Sequence, residues 1–417
     1  MRKLRFKQFL RERNQFSKTG DETLLSVSEY YGVKPRAEAF QSEEHESRAA
    51  TLEGYRIVKK DDLVMNYMLA WKGAYGVSDH EGIVSPAYSV FKVDQNTVDV
   101  RYLHHRARSD DMKAYFRSRS KGIIDSRLRL YPDSLLASYV EIPDLATQRQ
   151  IAHFLDRETA RIDLLIEKKQ RLVALLDDKT AAKQQSDLDN LLGTFGQSRL
   201  KNFMLAITTG PFGSAIKQDE YIEDGVPILN PAHIADGKII HDMSITLSDE
   251  KAQELQYWRL KPGDLLMGRR GDLGRCAVVE KTLGACICGT GCLRLRVHPK
   301  HNASYLQLVI SGRRSREWLD LNAVGTTMKN LNEAIVGRLP VPNVSRERQD
   351  EFVSDTQSAY RKNAHTRRKI VLSIDRLKEY RSALITAAVT GQIDVQTYAR
   401  SGATDRRLDA IQEEMNA

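Results

Sequence analysis

An internal duplication constrains this chain more than any other feature of its sequence. Residues 55–65 (YRIVKKDDLVM) align with residues 257–267 (YWRLKPGDLLM) at an offset of 202, and residues 142–150 align with residues 341–349 at an offset of 199. Between the two alignments lies a pair of glycines, Gly122 and Gly325. Three markers in one order at a nearly constant offset predict two halves of about 200 residues with the same architecture.

Each half divides into a strand-rich part and a helical part. Short apolar runs interrupted by Gly, Pro and Asn predict a mixed domain of short strands. After this domain, neither Pro nor Gly occurs in residues 144–192 or 343–390, which predicts two long helices, with Thr147 and Ser345 as candidate caps. The predicted parts are a first domain at 1–143, a first long helix at 144–192, a second domain at 193–342, a second long helix at 343–392 and a C-terminal tail at 393–417.

Apolar residues recur along both predicted helices at a spacing of three and four. They are Leu155, Ile162, Leu165, Leu172 and Leu176 in the first helix, and Ile370, Ile374, Leu377 and Leu384 in the second. Such a stripe needs a partner, and its duplicate is the nearest one, although part of each helix can pack along its own domain instead. A pseudo-twofold repeat makes the two helices antiparallel. The predicted fold class is α+β, with two similar strand-rich domains separated by two coiled-coil-like antiparallel helices.

The charge of the chain favours a polyanionic partner. It has 64 Lys and Arg against 55 Asp and Glu, a net charge of +9, and a pI near 9.2. This excess favours nucleic acid over an acidic membrane. We find no secretory signal and no apolar stretch long enough for a membrane span, so we expect a cytoplasmic protein without a membrane partner.

Four cysteines fall within 17 residues: Cys276, Cys286, Cys288 and Cys292. A cluster of this kind can hold a metal ion, but its spacing fits no common zinc pattern. Cys286 and Cys288 alternate along an apolar, strand-like run, as small buried residues do. We therefore expect reduced, buried thiols and no metal site.

Several motifs occur in the same order in both halves. In the first half they are 25–28 (LSVS), 32–36 (GVKPR), 142–145 (IPDL) and 148–151 (QRQI); in the second they are 210–214 (GPFGS), 225–228 (GVPI), 263–266 (GDLL), 325–331 (GTTMKNL), 339–342 (LPVP) and 383–394 (ALITAAVTGQID). In this set the chain resembles the specificity subunits of type I restriction-modification systems. It departs from their usual Pro-Leu-x-Glu-Gln pattern at residues 144–148 and 343–348.

The resemblance implies a function as well as a fold. It implies two target recognition domains, each reading one half of a split site in double-stranded DNA, with paired helices that set the spacer and dock modification (methyltransferase) subunits. We expect two modification subunits per chain, and restriction subunits can join the assembly. S-adenosylmethionine, ATP and Mg are expected on those partner subunits, and no cofactor on this chain.

The sequence offers little sign of catalysis by the chain itself. No Gly-x4-Gly-Lys-Ser/Thr phosphate loop occurs, and residues 230–233 lack the second Pro and the aromatic residue of an amino-methyltransferase motif. We therefore expect a specificity subunit that is not an enzyme. Two alternatives stay open: a helical scaffold without sequence-specific DNA binding, and a restriction enzyme with its own catalytic centre.

Candidate DNA contacts lie in glycine-flanked or basic loops. Arg is the usual bidentate reader of guanine, and Lys and Arg on phosphates supply most of the affinity. The candidates in the first domain are Lys34, Arg36, Tyr67, Trp71, Lys72, Arg117, Arg119, Lys121 and Arg127; those in the second are Ser214, Lys217, Arg269, Arg270, Thr326, Thr327 and Lys329. The different side chains of the two domains predict different half-sites.

Overall fold

The protein, seen in a computed structural model, consists of two compact units. The first is formed by Met1–Arg171 together with Lys369–Ala417, and the second by Leu172–Arg368. The structure describes residues 1–39, 51–124, 127–212, 215–217, 220–240, 245–325 and 329–416. The first unit is thus built from two separate stretches of sequence, whereas the second is continuous.

The first unit contains ten described strands, all short because Gly, Pro and Asn interrupt the apolar runs. They are β1 (Arg2–Arg5), β2 (Leu10–Glu12), β3 (Leu25–Ser28), β4 (Gly32–Pro35), β5 (Arg56–Val58), β6 (Leu63–Asn66), β7 (Tyr75–Val77), β8 (Gly82–Val84), β9 (Tyr88–Val93) and β10 (Tyr139–Ile142). Four of them form an antiparallel sheet in the order β2-β9-β6-β7. Antiparallel pairs join β1 to β10, β3 to β4 and β5 to β8.

The second unit repeats this plan. Its described strands are β11 (Gln197–Arg199), β12 (Met204–Thr209), β13 (Tyr221–Ile222), β14 (Val226–Leu229), β15 (Ile234–Ala235), β16 (Lys238–Ile239), β17 (Thr246–Leu247), β18 (Leu265–Gly268), β19 (Cys276–Val278), β20 (Ile287–Cys288), β21 (Cys292–Val297) and β22 (Pro340–Pro342). The sheet β12-β21-β18-β19 is antiparallel and has the same first-fourth-second-third order as its counterpart. The pair β11-β22 corresponds to β1-β10. A mixed sheet in the order β13-β17-β14-β20 has no equivalent among the described strands of the first unit, so the described parts of the two units differ there.

Short helices complete each unit in a matching order. They are α1 (Arg36–Ala39), α2 (Val100–Ala107), α3 (Asp110–Arg119) and α4 (Pro132–Ala137) in the first unit, and α6 (Asp249–Glu254), α7 (Ala303–Ser311), α8 (Arg313–Asn322) and α9 (Glu333–Gly337) in the second. Three helices follow the last strand of the four-stranded sheet in both units. The predicted α+β class and the internal repeat are therefore confirmed.

Two long helices leave the two domains. The first, α5, spans Leu145–Phe195, and the second, α10, spans Arg346–Val389. Their length follows from the absence of Pro and, apart from Gly193 near the end of α5, of Gly. Asp144 caps α5, because its carboxylate accepts from the backbone N–H and the hydroxyl of Thr147 at 3.0 and 2.8 Å; Thr147 is not the cap that the sequence suggested. Ser345 directly precedes α10.

The long helices contact each other within each unit. In the first, Arg381 forms a bidentate ion pair with Asp163 at 2.8 and 3.1 Å. In the second, Tyr360 donates to Gln184 and Asn363 donates to Thr180, at 2.8 and 3.0 Å. Going from Tyr360 to Asn363 on α10, the contacted residue on α5 goes back from Gln184 to Thr180. The two helices are therefore antiparallel in the second unit.

The apolar stripe is buried in the first unit and weakens in the second. Its buried members are Leu155, Ile162, Ile370, Ile374, Leu377 and Leu384, and its half-buried members are Leu165 and Leu176. Leu172 departs from the predicted packing, since it is 43% exposed. In the second unit the two helices also contact each other through the polar side chains of Tyr360 and Asn363.

The C-terminal tail forms two helices, α11 (Val395–Arg400) and α12 (Ala403–Asn416). They pack on α5 in the first unit, where Lys169 donates to Gln412 at 2.8 Å and the rings of Phe154 and Tyr398 meet edge to face. Ile411 is buried in the same contact region. No helix in the described parts of the chain is both long and apolar enough to span a bilayer.

Candidate nucleic-acid interface

Equivalent loops lie at one end of the four-stranded sheet in each unit. In the first unit, the loop after β6 is joined to the segment before α4 by a hydrogen bond from Leu130 N–H to the Tyr67 carbonyl, at 3.0 Å. In the second, the loop after β18 makes the matching bond from Leu331 N–H to the Arg269 carbonyl, at 2.9 Å. The duplication therefore places Tyr67 and Arg269 at equivalent positions.

A narrow hairpin precedes each of these bonds. In the first unit, Lys121 and Arg129 exchange two backbone hydrogen bonds of 2.9 Å, and in the second unit Val324 and Asn330 do the same at 3.0 and 2.9 Å. In sequence, the first bonded pair encloses part of the basic run of the first domain, and the second pair encloses residues 325–329 of the 325–331 motif. The sequence therefore identified corresponding segments correctly.

Aromatic and cationic side chains meet in the first unit. Trp71 lies between two cations, with Lys72 Nζ and the Arg117 guanidinium carbon each 5.1 Å from its ring centroid. The Tyr67 ring stacks on Tyr131 at 5.9 Å. Such cation–π pairs orient the charged groups while leaving them able to meet an anion. The structure thus brings Arg117 onto the Trp71–Lys72 pair and places Tyr131 against Tyr67.

The remaining basic candidates of the first unit lie on several different segments. Lys121, Arg119 and Arg127 are exposed on the hairpin and at the end of α3. Arg36 lies close enough to Tyr88, at the start of β9, to oppose the rise that burial causes in the pKa of that tyrosine. Lys34 is exposed, 5.8 Å from the Tyr31 ring centroid.

Arg269 is held in place in the second unit. Its backbone N–H donates to Gly291, its carbonyl accepts from Leu331, and its Nε donates to Asn330 Oδ1 at 3.0 Å. The side chain is thereby oriented through its Nε. Burial, and then the charge of Arg270, lower the pKa of Arg269. The neighbouring Arg270 is exposed.

Other candidates of the second unit have more local partners. Lys329 forms an ion pair with Asp320, and the backbone N–H of Lys217 donates to Glu220 at 2.6 Å. None of the described hydrogen bonds joins Lys217 to the Arg269 loop. Three candidates lie outside the described residues: Ser214, Thr326 and Thr327.

Sequence reasoning missed Arg108, which organises the first unit. Its guanidinium donates to five backbone carbonyls, those of Ser28, Glu29, Tyr30, Gly73 and Tyr75, at 2.7 to 3.3 Å. Burial lowers the pKa of Arg108 to about 10, which leaves it charged at neutral pH. Arg108 therefore ties the β3–β4 turn to the segment that carries Trp71 and Lys72, and no sequence motif marks it.

Sequence reasoning also missed two exposed isoleucines in the first hairpin. Ile123 and Ile124 are 101% and 52% exposed. Gly122 precedes them at φ +147°, where a Cβ would lie 2.6 Å from the Arg127 carbonyl oxygen, so the hairpin closes tightly only with glycine. The sequence pattern that could have indicated this exposure is the pair of consecutive isoleucines between a glycine and basic residues.

The four cysteines are buried in the core of the second unit, as their apolar spacing predicted. Burial raises the pKa of Cys286 to about 11 and that of Cys288 to about 12. In the described parts of the chain, no group of three or more His, Cys, Asp or Glu is arranged to hold a metal ion.

These thiols are expected to be unreactive in the native protein, because thiolate is the reactive species and burial suppresses it. Titration with a chromogenic disulfide reagent at pH 8 should detect no fast-reacting thiol before unfolding, and all four in denaturant. Rapid labelling of Cys286 or Cys288 in the folded chain would contradict this buried placement.

The comparisons with known proteins agree with this architecture. No family model matches the chain. The type I restriction enzyme EcoBI specificity subunit from Escherichia coli is 21% identical over 300 residues, which cover 66% of this chain and 61% of that protein. The match thus spans about three fifths of the length of that relative.

Solved structures give the fold. A chain from a structure of type I restriction-modification complex assembly and conformational transition has a TM-score of 0.67 and 17% identity, covering 93% of this chain and 97% of that one. The HsdS subunit from Thermoanaerobacter tengcongensis is 16% identical over 94% of this chain, with a TM-score of 0.47. This protein therefore has the fold of a type I restriction-modification chain, and the resemblance to type I specificity subunits inferred from its repeated motifs is confirmed.

Proposed function

We propose that this chain is the DNA-specificity subunit of a type I restriction-modification complex, and that each unit reads one half of a split DNA site. The observation that carries this proposal is the pair of equivalent loop surfaces with different side chains. One presents Tyr67, Trp71 and Lys72, and the other presents Arg269 beside Asn330. Equivalent position favours a common role, and different chemistry favours different half-sites.

The chemistry of both surfaces suits duplex DNA. Lys and Arg neutralise phosphates and supply affinity, whereas Arg forks and apolar groups discriminate between base edges in the major groove. The net charge of +9 supports the same partner. Arg269 has the preorganised geometry of a guanine reader, since Asn330 occupies its Nε and not its terminal nitrogens.

The long helices α5 and α10 are the proposed docking faces for partner subunits. Each unit contains one half of each helix, so two related faces are available for two modification subunits. Methyl transfer with S-adenosylmethionine and ATP-driven restriction with Mg would be carried out by those partners. The chain itself would act without catalysis, in the cytoplasm.

Selection from random duplex pools tests this function. The full chain, purified with its modification subunits, is expected to enrich a bipartite motif with a fixed spacer. Methylation mapping in cells that express the system should return the same two half-sites. A complex that enriches no motif would instead support a helical scaffold and would refute sequence-specific DNA reading.

Stoichiometry tests the docking proposal separately. Light scattering of the purified complex is expected to give two modification subunits for each copy of this chain, because the duplication supplies two related helix faces. A stable one-to-one complex at saturating modification subunit would contradict it.

Arg269→Ala should weaken binding to the selected site by about 1–3 kcal/mol and relax one base position, because a bidentate Arg–guanine contact is lost. Binding titrations against duplexes that vary each base pair measure both effects. The exposed neighbour gives a matched variant, Arg270→Ala, that separates base reading from general charge. A uniform loss across all sequences in Arg269→Ala would show that Arg269 contacts a phosphate instead.

A further inference from the structure

The tip of the first hairpin carries an exposed apolar side chain that the proposed function does not yet use. Ile123 is 101% exposed, more than any other large apolar residue in the described parts of the chain, and Ile124 beside it is 52% exposed. Scattered exposed apolar residues are normal on protein surfaces. Two in succession in one hairpin are less usual, because Ile123 gains no burial within the folded chain and Ile124 stays half exposed.

Backbone hydrogen bonds form on both sides of Ile123 and Ile124. The two bonds of 2.9 Å between Lys121 and Arg129 close its base, and Arg127 N–H donates to the Ile124 carbonyl at 2.8 Å nearer the tip. Gly122 allows the close approach to Arg127 that any side chain would block.

Cations flank the apolar tip. Lys121 and Arg127 are exposed on the two arms of the hairpin, and Arg119 is exposed at the end of the helix that leads into it. A surface that is apolar at its tip and positive along its sides matches a polyanion whose recessed surface carries apolar groups. Duplex DNA has this arrangement, with phosphates at the groove edges and base edges on the groove floor.

The chemistry of the exposed side chain selects the groove. The major groove of B-DNA, about 12 Å wide, gives protein groups access to the base edges, whereas the minor groove is only about 6 Å wide. The apolar group that the major groove presents is the C5-methyl of thymine. We propose that Ile123 reads a thymine methyl in the major groove of the half-site bound by the first unit, while Lys121 and Arg127 meet the flanking phosphates.

This inference rests on the proposed function, and a single-methyl substitution tests it. Each thymine of the selected site is replaced in turn by deoxyuridine, which removes only the C5-methyl, and binding is measured with the full chain in its complex. At one thymine the wild-type complex should lose about four-fold in affinity, the value of one buried methyl group. Ile123→Ala should bind the intact site roughly ten-fold more weakly and should no longer distinguish thymine from deoxyuridine there.

A matched control uses the same substitution elsewhere. Ile240→Ala removes a 64% exposed isoleucine of the second unit and should keep the wild-type affinity and the deoxyuridine effect. Thermal unfolding of both variants should match the wild type, because neither side chain is buried. Equal behaviour of Ile123→Ala and Ile240→Ala in the binding assay would overturn the inference.

Other outcomes also decide the matter. A selected site without thymine, or one in which no deoxyuridine weakens binding, would overturn the methyl contact while leaving sequence-specific reading intact. A rise in 2-aminopurine fluorescence next to the contacted position, lost in Ile123→Ala, would show that the side chain unstacks bases as a wedge and would overturn groove-floor reading. Failure to select any motif would refute the proposed function itself.

Discussion

Replacing Arg108 by Met is expected to lower the unfolding free energy of the first unit by about 3–5 kcal/mol, because five hydrogen bonds, four of them part-buried, are lost. Met retains much of the aliphatic volume but has no donor. The five carbonyls that Arg108 binds come from two segments, 28–30 and 73–75. Among the described hydrogen bonds, no other side chain donates to both segments. Chemical denaturation followed by circular dichroism measures the loss.

The same substitution should also weaken base discrimination in the half-site bound by the first unit, and not in the other half-site. The segment 73–75 directly follows Trp71 and Lys72, so its release should displace the cation–π cluster of the first unit. At a temperature where Arg108→Met remains folded, base discrimination should fall in one half-site and persist in the other. The control is Arg11→Met, at an exposed arginine that donates only to nearby carbonyls. Equal destabilisation by both substitutions would contradict the role of Arg108.

Replacing Gln148 or Gln349 by Met should cost about 2–4 kcal/mol each, because each substitution leaves two buried backbone groups without partners. Gln148 Oε1 accepts from Asp99 N–H at 2.9 Å, and its Nε2 donates to the Pro143 carbonyl at 2.9 Å. Gln349 repeats this with Asn302 N–H at 2.8 Å and the Val344 carbonyl at 3.0 Å. Both side chains are buried.

These two glutamines fasten each long helix to the start of a short helix in its own unit. Asp99 and Asn302 are the residues that cap α2 and α7, so both units use the same fastening. Hydrogen exchange should show greater opening of α2 in Gln148→Met and of α7 in Gln349→Met. The exposed Gln150→Met serves as control. Protection unchanged in both short helices would argue against the fastening role.

Sequence predicted the features that depend on local or repeated patterns. Absence of Pro and Gly gave the extents of α5 and α10 to within a few residues, and the duplicated motifs gave the paired loops after β6 and β18. The glycines that flank Arg269 led to its choice as a DNA contact, which stays a prediction, whereas its partners Asn330 and Leu331 are distant in sequence and were not predicted.

Features that depend on distant contacts were not predictable in this way. Arg108 binds carbonyls 33 to 80 residues away, and no local pattern encodes such a contact. Asp and Thr are both favoured at the N-cap, so the residue type alone does not decide which of them caps a helix. The backbone geometry at the start of α5 makes Asp144, and not Thr147, the cap.

The discontinuity of the first unit has a consequence for biosynthesis. Residues 1–171 find their remaining partners only in residues 369–417, so roughly 200 residues must be translated in between. At about 5–20 residues per second, the ribosome needs about 10–40 seconds for that stretch. Throughout this interval the N-terminal half of α5 lacks the part of α10 that it contacts through Asp163, so we expect this stretch of the nascent chain to need chaperone protection.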